Sequence, residues 1–150
     1  MLTKTPTGLA ELTALFGDYR HPHFERDNIA SFLLPYPLYY NGTRVTHARC
    51  HALLVDNFQG ALAAVKEAGL EREVRNYSGI YAVRAVRGGI HPSTHAWGIA
   101  IDLEAEKYPL GSLQRMPGEV VQCFTEVGFL YGGDFLGRKD PMHYQYVKGY

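Results

Sequence analysis

The stretch 91–102, HPSTHAWGIAID, sets a histidine and an aspartate seven positions apart around a short apolar run. Ile99 and Ile101 alternate with Gly98, Ala100 and Asp102, and alternate side chains of a strand share a face. Ile99, Ile101 and Leu103 make one face, fit for burial. Gly98, Ala100 and Asp102 make the other, small residues beneath a carboxylate that leave room for something besides side chains. His95 and Asp102 differ by an odd number, so a straight strand would point them to opposite faces. They converge only if the chain turns between them, which Gly98 permits. A second alternating run, 142–147, puts His143, Gln145 and Val147 on one face. Paired beside residues 99–103, it would bring His143 over Asp102. A His, Asp, His set with a fourth position open suits catalytic zinc. The same residues also fit a core His–Asp hydrogen bond with His143 unrelated to it.

Asp140 stands three residues before His143, with Pro141 between. A carboxylate beside a metal-activated water can act as general base and then general acid; an aspartate before proline is also a common turn residue. Arg84, on an expected strand, has the charge to stabilise an oxyanion. Arg87 fits that role too, or that of a solvated turn residue. His47 and His51, four apart on an expected helix, offer a second metal pair, but no Glu follows His47 and the HExxH pattern is absent. His91 and His95 share that spacing, but Pro92 opposes a helix there. His21 and His23 flank Pro22 in a polar loop and read as solvated. Cys50 and Cys123 form no CxxC and read as two buried free thiols.

These residues must be positioned by a chain of 150 residues, read as a single domain over 1–150. Fifteen Lys and Arg balance fifteen Asp and Glu, so bulk charge does not draw the chain to nucleic acid or to an anionic membrane. No apolar leader and no run of membrane-span length is present, so the chain is expected to be made in the cytoplasm without a signal peptide. A short helix is predicted over 7–16, capped by Thr7, with Leu9, Leu12 and Phe16 on one face and Gly17 as its stop. Residues 18–46, with several X-Pro steps, read as irregular. Helical spacing runs from about His47 to Ala68, and Gly69 ends it. Residues 77–86 alternate like a strand. Pro117–Val127 reads as a helix closed by Gly128, and Gly132-Gly133-Asp134 as a turn. The sum is an α+β domain, a small antiparallel sheet packed against helices.

Ser93-Thr94-His95-Ala96-Trp97-Gly98-Ile99-Ala100-Ile101-Asp102 matches SxHxxGxAxD, which resembles the signature of VanY-like zinc peptidases, the D-alanyl-D-alanine carboxypeptidase family. Asp140-Pro141-Met142-His143 resembles that family's second motif. GFLYGGDF and YAVRAVRGG are similar to stretches of its phage L-alanyl-D-glutamate endopeptidase (endolysin) branch. The resemblance covers roughly residues 48–147. It implies a hedgehog/DD-peptidase-like fold and one zinc per chain on His95, Asp102 and His143. It implies Asp140 as base, Arg84 as the oxyanion arginine, and Arg87, Ser93, Trp97 and Tyr131 as substrate contacts. Two positions depart from the pattern: Asp140 stands where some branches have Glu, and Tyr131 replaces the usual Trp. The implied activity is hydrolysis of peptidoglycan stem peptides at L-Ala–D-Glu, by a monomer that neither inserts into membranes nor binds nucleic acid. The enzyme would act on the cell wall after release, by phage lysis or as an injected effector. A D-alanyl-D-alanine carboxypeptidase and a non-catalytic zinc-binding module of the same fold are the alternatives.

Overall fold

The computed structural model describes residues 1–83 and 91–150. It is an α+β fold: α1 (Gly8–Phe16), α2 (Phe24–Asn28), a hairpin of β1 (Ile29–Tyr40) and β2 (Thr43–His51), α3 (Val55–Glu67), β3 (Ala100–Asp102), α4 (Gly118–Thr125), β4 (Leu130–Tyr131) and β5 (His143–Gln145). The strands form two antiparallel sheets, β1-β2 and β3-β5-β4, with β5 in the centre of the second.

The hairpin replaces the irregular segment expected over 18–46. Phe32, Leu34, Tyr36 and Leu38 alternate inward and are buried, the period-2 pattern of a half-buried strand. Asn41 and Gly42 both have positive φ, 49° and 78°, between the paired residues Tyr40 and Thr43. That is the Asn-Gly two-residue turn that closes a tight hairpin. Pro35 and Pro37 fall where the register shifts, between Leu33 and Leu38. Their missing N–H groups cost no ladder bond there.

The helix expected from His47 begins only at Val55. Residues 43–51 are strand, and a short 3-10 turn, Ala52–Leu54, leads into α3. His47 and His51 therefore do not share a helix face; they lie about 13 Å apart along a strand. His47 is exposed. His51 is buried, and its Nε2–H donates to the Phe16 carbonyl at 2.9 Å. Burial holds its pKa below the usual histidine value, and the bond to Phe16 opposes that only in part.

α3 turns Phe58, Ala61, Leu62 and Val65 into the core, where the Phe58 ring stacks on Phe32 of β1. α1 buries Leu12 and Phe16, while Leu9 is exposed and the Thr7 hydroxyl makes no cap bond. Instead the Thr7 N–H donates to the Glu11 carboxylate at 2.8 Å. Of the strand expected over 77–86, only single bridges at Asn76 and Tyr77 occur among the described residues. They tie the hairpin to the site sheet: Tyr77 N–H donates to Tyr39 and Ser78 N–H to Asp102. Cys50 and Cys123 are free and buried, and burial pushes the Cys50 thiol up to about 12. No helix of the described residues is long and apolar enough to cross a membrane.

Candidate metal centre

Asp102 ends β3 and lies opposite His143 in the ladder with β5. Directly opposed residues of an antiparallel pair face the same side, so register alone brings this carboxylate and imidazole together. His95 comes from a 3-10 turn, Thr94–Trp97. The Ser93 hydroxyl opens it by accepting from His95 N–H, and Gly98 closes it at φ 70°. Gly98 N–H donates back to the His95 carbonyl at 3.0 Å.

Gly98 also has a second reason to be small. A Cβ there would stand 2.8 Å from the His51 nitrogen and 2.9 Å from Ile29 Cδ1. The space beside Gly98 thus admits the end of β2, whose His51 N–H donates to Gly98 O. It is not a void for metal or substrate, as the small face had suggested. Ala100 is buried opposite Gln145 and does not line the cavity beside the cluster.

His95 Nε2 lies 3.2 Å from Asp102 Oδ2, and His143 Nδ1 lies 2.9 Å from Asp102 Oδ1. One donor atom from each of the three residues lies within 4.8 Å of the others, and all three residues are buried. The remaining ring nitrogens are engaged outward. His95 Nδ1–H donates to the Ile80 carbonyl at 2.8 Å, and His143 Nε2–H donates to Gln145 Oε1 at 2.9 Å. A carbonyl only accepts, so the proton of neutral His95 sits on Nδ1 and the Nε2 lone pair faces inward. His95 Nε2 has no hydrogen-bond partner of good geometry.

The cluster thus gathers two imidazole lone pairs and a carboxylate, three acceptors with no donor among them. Such a set repels itself unless a cation lies between. The donor types, N, O and N, suit zinc with an open fourth position. Burial alone would raise the Asp102 pKa, but the His143 and His95 imidazoles beside it hold it well below the carboxylate range, so the carboxylate stays ionised. Burial would lower the pKa of His143, but the neighbouring Asp102 carboxylate and the charge of Asp140 raise it.

Asp140 lies just outside the cluster, with Oδ2 3.9 Å from His143 Nδ1 and its side chain about a quarter exposed (23%). Its backbone is pinned: Asp140 N–H donates to Gly132 O, and His143 N–H donates to Asp140 O. Gly132 makes this approach possible. A Cβ there would overlap the Asp140 carbonyl oxygen and stand 3.0 Å from that of His143. Backbone cannot yield as a flexible side chain can. Gly132→Ala is therefore expected to shift the 140–143 turn, costing about 1–3 kcal/mol of stability and weakening zinc binding at least tenfold. Thermal unfolding and a chelator-competition titration check both; unchanged zinc affinity would mean that the turn tolerates the methyl.

The cluster floors a cavity of about 550 Å³ lined by Ser93, Thr94, Asp140 and Gln145, by His91 and Arg138, and by apolar Leu9, Leu110, Phe135, Met142 and Tyr150, among others. Ser93, expected at the substrate, is on this wall. Trp97 and Tyr131 are not. The Trp97 indole is buried, donates to Gly17 O and packs edge-on to Tyr19 and Tyr150. Tyr131 is buried against Tyr144, and its hydroxyl accepts from Met116 N–H. Arg84 and Arg87 lie outside the described residues. Thr94, Gln145 and Arg138 also line the cavity; the signal in the sequence for Gln145 is its place two residues after His143, on the same strand face.

Residues 87–146, less than half of the chain, match the family model described as D-alanyl-D-alanine carboxypeptidase. The matched stretch contains His95, Asp102, Asp140 and His143, and the match supports a peptidase, a hydrolase acting on peptidoglycan at the level of the family. No curated protein and no solved structure gives a significant match.

Proposed function

We propose that the chain is a zinc peptidase that hydrolyses peptidoglycan stem peptides, cutting between L-alanine and D-glutamate at the cell wall after release. The observation that carries this reading is the convergence of the His95, Asp102 and His143 acceptor atoms at the floor of a cavity, with the Asp140 carboxylate beside them. His95, Asp102 and His143 would hold the ion. When bound, zinc supplies Lewis acidity toward water and toward a carbonyl oxygen.

Asp140 is not in the set of mutually close donor atoms, so its carboxylate is assigned as the base and not as a ligand. It takes a proton from the attacking water and delivers it to the leaving amide nitrogen, since the amine is a poor leaving group unless protonated. Arg84, carried by the resemblance, is the proposed partner of the oxyanion. The apolar wall of Leu110, Phe135 and Met142 fits alanine methyl groups, while Arg138 and His91 offer positive or hydrogen-bonding partners for a carboxylate.

A second reading, a D-alanyl-D-alanine carboxypeptidase, is favoured by the description of the matched family and by Arg138, a basic group on the cavity wall able to take a terminal carboxylate. Digestion of purified peptidoglycan, with mass spectrometry of the new termini, separates the readings. A new N-terminal D-Glu is expected; free D-Ala would move the assignment to the carboxypeptidase. No released fragment from a zinc-loaded protein would leave a binding module.

A further inference from the structure

We propose that Gln145 is a positioning residue that fixes which nitrogen of His143 faces the metal. The inference rests on the reading of His95, Asp102 and His143 as a metal set. A glutamine amide presents a donor and an acceptor, and its orientation decides which one a neighbour meets. Here the orientation is fixed from the far side. Gln145 Nε2–H donates to the Val147 carbonyl at 3.1 Å, which only accepts, so Oε1 must point the other way, toward His143 Nε2 at 2.9 Å. The Thr94 hydroxyl donates to the same Oε1 at 3.3 Å and lies 3.3 Å from His143 Nε2. All three side chains are buried, which limits the competition of water for these bonds.

The consequence falls on His143. An acceptor at Nε2 keeps that nitrogen protonated and leaves the Nδ1 lone pair for the ion. Nδ1 is the atom beside Asp102 Oδ1 and nearest Asp140. Without Gln145, the nearest carboxylate for an imidazole proton among the described residues is Asp102, 2.9 Å from Nδ1. The proton would then settle on Nδ1, where the metal must bind, and metal would have to displace it. His95 solves the same problem with a backbone acceptor, Ile80 O. The two histidines thus present opposite nitrogens, each set by an outward hydrogen bond, the arrangement that orients metal-binding imidazoles in general.

The test is metal affinity of the metal-free protein, measured by chelator competition with zinc and with cobalt, besides any assay of turnover. Gln145→Met keeps the length of the side chain and removes the acceptor. It is expected to weaken both metals about 10–100-fold, the usual loss for such a partner. Gln145→Glu restores an acceptor and is expected to bring affinity back to at least the wild-type level. Thr94→Val should cost less than Gln145→Met, and Thr94→Ser should recover it. In the zinc-loaded wild type, the His143 Nε2–H proton should exchange slowly enough to be seen by NMR, and Gln145→Met should abolish that resonance.

A role in packing alone gives the opposite order, with Gln145→Met near wild type and Gln145→Glu defective; that order overturns the inference while leaving the metal site intact. Should Gln145→Met fail to fold, Thr94→Val decides, and an unchanged affinity there also overturns it. A wild-type protein that takes up no metal overturns the inference and the proposed function together.

Discussion

His95→Ala is expected to strip the chain of zinc and, with it, of hydrolysis. The expected loss of affinity exceeds the 10–100-fold typical of removing an outer hydrogen-bond partner, because one of only three protein donors is gone. Elemental analysis after dialysis should fall from about one zinc per chain to nearly none. The fold should persist. The 3-10 turn that carries His95 is held by bonds through the backbone: Ser93 Oγ accepts from the nitrogen of residue 95, and Gly98 N–H donates to its carbonyl. The truncation also opens into the existing cavity rather than into sealed core. His47→Ala is the control. That histidine is exposed on β2, its Nδ1 paired with the Thr46 hydroxyl, and its loss should leave zinc unchanged. Retention of zinc by His95→Ala, with loss from His47→Ala, would move the site to the hairpin.

How far the site could be read ahead of the structure depended on which residues obey simple periodicities. The meeting of Asp102 and His143 follows from strand parity and pairing, and the structure puts them directly opposite. His95 required a turn, and Gly98 at positive φ supplies it. α4 and the inner part of α3 followed their 3.6 spacing. β1 did not look like a strand because Pro35 and Pro37 weigh against one. The stronger signals were the alternation of Phe32, Leu34, Tyr36 and Leu38 and the Asn41-Gly42 turn, and a bulge absorbs the prolines.

The period of Leu54, Phe58 and Leu62 makes residues 47–51 look like the start of the following helix. Yet Ala48 and Cys50 alternate with exposed His47 and Arg49, a strand's signature. Trp97 and Tyr131 lie off the cavity wall for a different reason. An aromatic residue beside a motif is equally suited to a substrate wall and to the core, and only the packing of Tyr19, Tyr150 and Tyr144 around them decides. Gln145 was silent because a glutamine acquires a role only once its neighbours fix which end of the amide points where.

Asp140→Asn is expected to keep both the fold and the zinc, yet lose about 10²–10⁴-fold in turnover, the usual contribution of a general acid–base group. The fold should hold because the turn depends on backbone groups: Asp140 N–H to Gly132 O, and His143 N–H to Asp140 O, with Pro141 fixing the chain between them. Asparagine is the same size and disturbs none of these. Zinc should hold because Asp140 stands outside the close donor set, its Oδ2 3.9 Å from His143 Nδ1, while three donors are already supplied. What the amide cannot do is take a proton from water and return it to the departing nitrogen. Asp140→Glu keeps the carboxyl but lengthens the arm by one methylene, so it should retain part of the activity. Three measurements on one preparation decide the matter: zinc content, thermal unfolding and release of peptide from cell walls. Zinc lost from Asp140→Asn would make the residue a ligand and close the fourth position to water. Near-normal turnover would remove it from the mechanism and leave proton transfer to another group on the cavity wall.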